Sequence, residues 1–164
     1  MINVEAVWWK VEIFAVYQLI AAELPVRGRV QNALNDPDPY VTLRNIETTP
    51  LIAGAPRLQS IAEGYASKLN FGVIRTIEAE LAPPDQALEL TKRFFYFQGT
   101  TFTVKGSVEF PAAADPKLHR EMLFKARFFS VVDATLTAVG VEMPPLQWPR
   151  CFVNRDLMVG VYLG

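Results

Sequence analysis

Apolar and polar residues alternate along much of this chain with the period of two that belongs to a half-buried strand. Val7, Trp9, Val11 and Ile13 fall on one phase, and Trp8, Lys10 and Glu12 on the other. The alternation slips where Phe14 follows Ile13, which predicts a bulge or bend near Phe14 to Ala15 inside the segment 6–21. A helix is the competing reading of that segment. Residues 93–101 are predicted as strand because the run Phe94-Phe-Tyr-Phe97 forms helix poorly and Gly99 offers a turn or bulge. Two more strands are predicted at 40–49 and 128–139, both rich in threonine and β-branched residues. In the latter, Phe128, Ser130, Val132, Ala134 and Leu136 make the more apolar face.

Helical spacing is rarer. Leu58, Ile61, Ala62, Tyr65 and Leu69 recur three and four apart and predict a helix near 57–69, although Gly64 weakens it. Asp115 is placed to cap a second helix with Pro116 at its first position; Leu118, Met122 and Ala126 form its expected inward stripe. Residues 31–39 are dense in Asn, Asp and Pro and read as loop. Pro144, Pro145 and Pro149 argue against both helix and central strand, which puts Trp148 in an exposed proline-rich loop. Asn154-Arg155-Asp156 reads as a tight turn between two final strands.

Three blocks recur in the same order. Glu23 to Val30 lies over Thr101 to Val108 at an offset of 78, aligning Gly28 with Gly106; Tyr40 to Thr48 lies over Phe128 to Leu136 at an offset of 88; Val73 to Ile77 lies over Val153 to Leu157 at an offset of 80. Changing offsets are what insertions between shared strands produce, so the expectation is a diverged duplication of one small β module. The aligned glycines would mark either a sharp bend in a small barrel or ordinary bulges.

Within the second copy, the glycine strand, the short helix, the strand Val131-Val-Asp-Ala-Thr135 and above all Phe152-Val-Asn-Arg-Asp156 resemble an uncharacterised prokaryotic family of small Sm-like or SH3-like β barrels. The resemblance covers residues 101–163 and only faintly 23–79. It implies a mostly β fold of two tandem Sm-like/SH3-like β-barrel modules with one or two short helices, and a habit of serving in assemblies; it brings no catalytic residue. The expected organisation is a first module at 1–82 with the helical insert near 57–69, a linker at 83–90 around Pro83-Pro84, and a second module at 91–164.

Composition narrows the use of such a fold. Of 164 residues, 51% are apolar and 20% charged, somewhat below the usual charged share of about 25%, which leans towards an oligomer or a fixed partner. A formal charge of -1 argues against a broadly basic nucleic-acid binder. The single Cys151 allows no internal disulfide and fits a reducing compartment. Glu5, Lys10, Glu12, Gln18 and Glu23 interrupt the apolar start, so neither a signal peptide nor a membrane span is expected and the cytoplasm is the expected location.

Candidate chemistry is sparse. His119 is the one histidine and has no nucleophile or carboxylate signature near it; Cys151 before Phe152-Val153 reads as a small buried hydrophobe. Asp36 and Asp38 lack a calcium-loop spacing, and Glu78 with Glu80 fixes no carboxylate pair. No catalytic residue, metal site or cofactor is expected, and the chain is not expected to be an enzyme, a small enzyme of unknown reaction being the remote alternative. The favoured expectation is a non-catalytic structural or adaptor protein that docks to itself or to a larger assembly through Trp8, Trp9, Phe94, Phe95 and Trp148, since aromatic anchors dominate interfaces. The runner-up is a module for single-stranded nucleic acid, with Arg93, Tyr96, Lys105 and Arg127 forming one patch.

Overall fold

The first alternating run is realised as strand β1 (Val7–Ala15), which turns at Val16-Tyr17 into β2 (Gln18–Val26). Val11 faces Ala22 and Ile13 faces Ile20 across the pair, and all four are buried. The slip at Phe14 is a shift in register between Phe14 and Ala15 against the neighbouring strand, so strand and bulge are both as expected. These features belong to a computed structural model, which describes residues 6–77 and 89–164; the Pro83-Pro84 linker and the pair Glu78 and Glu80 lie outside the described residues. The chain forms two compact units, Met1–Ala79 and Glu80–Gly164.

Unit 1 continues with α1 (Val30–Leu34), β3 (Tyr40–Pro50), β4 (Ile61–Ser67), a 3-10 turn (Lys68–Asn70) and β5 (Phe71–Thr76). Its strands lie in the order β5-β1-β2-β3-β4, every pair antiparallel. Unit 2 comprises β6 (Leu90–Gly99), β7 (Phe102–Pro111), a 3-10 turn (Pro116–Leu118), α2 (His119–Leu123), β8 (Phe128–Ala138), β9 (Leu146–Asn154), a 3-10 turn (Arg155–Leu157) and β10 (Met158–Leu163). Its order is β10-β6-β7-β8-β9, again antiparallel throughout.

Neither order closes on itself, which corrects the expectation of two tandem Sm-like/SH3-like β-barrel modules. Only a three-residue turn joins β4 to β5, or β9 to β10, while each pair stands at the two ends of a five-strand order. Four strand spacings of about 4.8 Å exceed what three 3-10 residues span, so each sheet curls around its core without a ladder forming between its ends.

The repeat is corrected as well. The block at offset 88 lays β3 on β8 and matches Asn45 with Asp133, both with φ of 52°. The other two blocks superpose segments that are not equivalent: Val73 to Thr76 lie in strand β5, whereas Val153 to Leu157 is the end of β9 and its turn. Gly28 lies beyond β2 with φ of +93°, a turn conformation that favours glycine, whereas Gly106 lies inside β7. There the β7–β8 register shifts between Lys105 and Ser107, and an added β-carbon would lie 2.5 Å from Val131 Cγ1. The two glycines answer different demands, a turn in one case and close strand approach in the other.

Four local expectations fail. The helix near 57–69 is instead β4, paired along β3, and Leu58, Tyr65 and Leu69 of its supposed apolar stripe are exposed. Trp148 is not in a loop: it lies in β9 opposite Ala134 and is 2% exposed. Pro149 is tolerated because it falls between the paired residues Trp148 and Arg150, opposite the irregular Asp133, where no ladder N–H is used. Leu118, in the 3-10 turn, and Met122, in α2, are exposed while His119 and Leu123 of α2 are buried, so the inward face is rotated from the expected stripe. Residues 30–34, read in large part as loop, form α1 with Val30 and Leu34 buried.

Other local signals are realised as read. The Asp115 carboxylate accepts the Lys117 N–H at 3.0 Å with Pro116 behind it, and the Asn154 side-chain oxygen accepts the Asp156 N–H at 3.0 Å. The two units fasten the turn before the last strand alike. Lys68 is buried and its Nζ donates to the carbonyls of Ala33 (3.3 Å) and Asp36 (2.7 Å); Arg155 Nη1 donates to the carbonyl of Phe124 at 2.5 Å.

Candidate functional site

β6 sorts its aromatic run by parity. Phe95 and Phe97 point into the core of unit 2, where Phe97 lies 5.1 Å from the ring of Phe129 and Phe95 lies 6.3 Å from that of Phe110. Phe94 and Tyr96 point the other way, and Phe94 is 49% exposed. Opposite them on β10, Tyr162 pairs with Tyr96 and the Gly164 N–H donates to the Phe94 carbonyl at 3.1 Å. The rings of Tyr96 and Tyr162 stand 6.2 Å apart. Glycines make the floor: a β-carbon on Gly160 would meet the Tyr162 hydroxyl at 2.5 Å, and one on Gly164 would meet the ring of Phe94.

β10 is the outermost strand of its order, so one row of its backbone groups has no strand beside it. The inward Gly164 N–H fixes which row: Tyr162 shares its phase, so the N–H and C=O of Val161 and Leu163 point outward. No side chain from Met158 to Leu163 carries a charge. Val159 (65%), Tyr162 (52%) and Leu163 (66%) are exposed beside that row. Soluble proteins ordinarily blunt such edges with lysine, proline or a covering segment, and an apolar edge left open is a template for another strand. Lys105 sits opposite Tyr96 with its Nζ 5.7 Å from the ring centroid.

Of the residues expected to dock partners, Phe94 is on this surface; Phe95 and Trp148 are core residues. Trp8 and Trp9 point to opposite faces of β1 as alternation requires, both are half-buried, and the Arg44 guanidinium covers the Trp8 ring at 4.1 Å while pairing with Glu23. That pairing holds the Glu23 carboxyl below its usual range. Of the four residues expected to form a nucleic-acid patch, only Tyr96 and Lys105 adjoin. Arg93 lies on the opposite face of β6, over Phe95 and 3.0 Å from His119 Nδ1, and Arg127 pairs with Asp156.

His119 stacks on Phe110 at 4.0 Å and 7°, with Nδ1 held by Arg93 and Nε2 buried. Among the described residues no nucleophile or carboxylate hydrogen-bonds to it. Cys151 is buried and its thiol is pushed up to about 12 by that burial, which leaves it a small hydrophobe at neutral pH. Among the described residues no group of three or more His, Cys, Asp or Glu side chains is placed to hold a metal ion, and no helix is long and apolar enough to cross a membrane.

No protein-family model, curated protein or solved structure matches the chain. The resemblance to Sm-like or SH3-like barrels is therefore corrected on two counts, since no family supports it and neither sheet closes. Reasoning from sequence missed Tyr162, Gly160 and Gly164. The uncharged run Met158-Val-Gly-Val-Tyr-Leu163 was the available signal.

Proposed function

We propose that this is a non-catalytic structural or adaptor protein that works by association, offering the open edge of β10 to a partner strand. The observation that carries the reading is the outward, uncharged backbone row at Val161 and Leu163 beside exposed Phe94, Tyr162 and Leu163. Strand addition draws affinity from main-chain hydrogen bonds and specificity from alternate side chains, and both are on offer along this edge. A cytoplasmic location belongs to the same reading, supported by the one cysteine being buried and unpaired. Binding of single-stranded nucleic acid is the weaker reading, because only Tyr96 and Lys105 of its four residues adjoin.

The test uses Val161→Pro. Proline removes an outward N–H and is tolerated on an edge strand, so the fold is kept while strand addition is blocked. Immobilised wild-type and variant chains are compared for what each retains from a host extract, with the chain itself counted among the ligands. Wild type is expected to retain a protein that the variant does not, with circular dichroism unchanged. Equal retention by both would defeat the reading.

A further inference from the structure

Resting on that reading, we propose that the partner is a second copy of this chain, joined by antiparallel pairing of β10 with β10 about a two-fold axis through Tyr162. A strand that pairs with its own copy must be self-complementary about its centre, because residue i meets residue j and j meets i. The segment Gly160-Val161-Tyr162-Leu163-Gly164 has that property: glycine, aliphatic, tyrosine, aliphatic, glycine. Its backbone has it too. The outward groups belong to Val161 and Leu163, one residue to either side of Tyr162, and this stretch lies past the register shift between Met158 and Gly160. Pairing centred on Tyr162 sets Val161 against Leu163 of the second copy twice, each pair exchanging both its N–H···O=C bonds.

Side chains fit the same register. Tyr162 meets its own copy at the closely spaced kind of pair, where cross-strand aromatic contact is strongest. Gly160 of one copy lies opposite Gly164 of the other. Tyr162 already covers Gly160 and Phe94 already covers Gly164, so the glycines of both copies make one flat floor beneath four rings. Exposed Leu163 gains a cross-strand neighbour in Val161. No charge lies on the strand, so the two-fold brings no like charges together. The patch is small against the roughly 800 Å² per partner of a standard interface, so the dimer forms and dissociates with concentration.

Light scattering and sedimentation of the purified full chain over a concentration series test the pairing. The expected result is a monomer that converts to dimer and stops there, with Val161→Pro raising the dissociation constant roughly tenfold or more, since symmetry doubles each lost hydrogen bond. Register is read by cysteine cross-linking in a glutathione buffer. Tyr162→Cys places two α-carbons within disulfide range and is expected to give a covalent dimer; Val161→Cys leaves its two copies beyond about 7 Å and is expected to give none. A strict monomer overturns the proposal, and so does equal cross-linking of both variants. Growth beyond dimer overturns it in favour of head-to-tail pairing with a different edge strand, such as β4 of unit 1. A monomer whose Val161→Pro variant nonetheless loses a host protein leaves the association reading standing with a different partner. A monomer whose variant retains everything removes both.

Discussion

Adding one methyl group at Gly106 is expected to destabilise unit 2 by crowding, through a mechanism that a second substitution relieves. The β-carbon of Gly106→Ala would lie 2.5 Å from Val131 Cγ1, 3.0 Å from the Val132 carbonyl oxygen and 3.2 Å from Ala134 Cα. Two of these atoms are backbone of β8, which is held by β7 on one side and β9 on the other and has no room to retreat. Overpacking of this kind costs about 1–3 kcal/mol, and the reduced freedom of the unfolded chain returns about 0.4–1 kcal/mol. The net loss is about 1–2 kcal/mol, which moves a urea midpoint down by roughly 0.5–1 M at an unchanged slope. Val131→Ala removes the nearest atom, so the double variant is expected to lose about 1 kcal/mol less than the two singles together. Gly28→Ala is the contrast: nothing lies within 4 Å of its added carbon, but φ of +93° costs about 1–2 kcal/mol whatever the space, and Val131→Ala does nothing for it. A neutral Gly106→Ala, or a double variant with no coupling, would refute the close-approach account.

Trp148→Ala is expected to cost about 3–5 kcal/mol, seen as a fall in thermal midpoint, because the ring is a buried group of β9. Cys151 is expected to resist a thiol reagent at pH 8 in the folded chain and to react in urea. Its folded value of about 12 lies above its free value, so its contribution to stability is full below about pH 9 and is lost as pH rises toward 12; comparison of wild type with Cys151→Ala in alkaline titrations reads that slope. Lys68→Met is expected to lower stability by about 1–3 kcal/mol in urea, since the carbonyls of Ala33 and Asp36 lose a charged donor; an unchanged midpoint would assign the role of Lys68 to its stem alone.

What was legible in the sequence was local. Asp115 and Asn154 announce their turns because their short side chains reach the backbone two residues on, whatever surrounds them. The alternation of Val11 and Ile13 survives because β1 buries one face. At Leu58 to Leu69 a helical spacing was present, but β3 offers a strand to pair with, and tertiary pairing overrides an exposed periodicity. The prolines around Trp148 misled because their effect depends on the register of β8, where the irregular Asp133 excuses Pro149. Closure of a sheet depends on whether its first and last strands meet, and no residue pattern in either strand states it. The candidate site shows the same division: Phe94 and Tyr96 stand out by type, whereas Tyr162 matters because β10 ends the order.

The grip of Lys68 also sets a sequence of events. α1 has five residues, far fewer than the roughly 12 that stand as a helix in water. Its last turn and the loop behind it are tied by an ammonium 35 and 32 residues further along the chain, on the turn between β4 and β5. The short helix is therefore expected to settle only once that distant corner has formed, late in the folding of unit 1. The amides of Ala33 and Asn35, bonded to Arg29 and Gln31, are expected to exchange with solvent through opening of that corner, so a hydrogen-exchange trace from one small helix would report on the integrity of the β4–β5 junction.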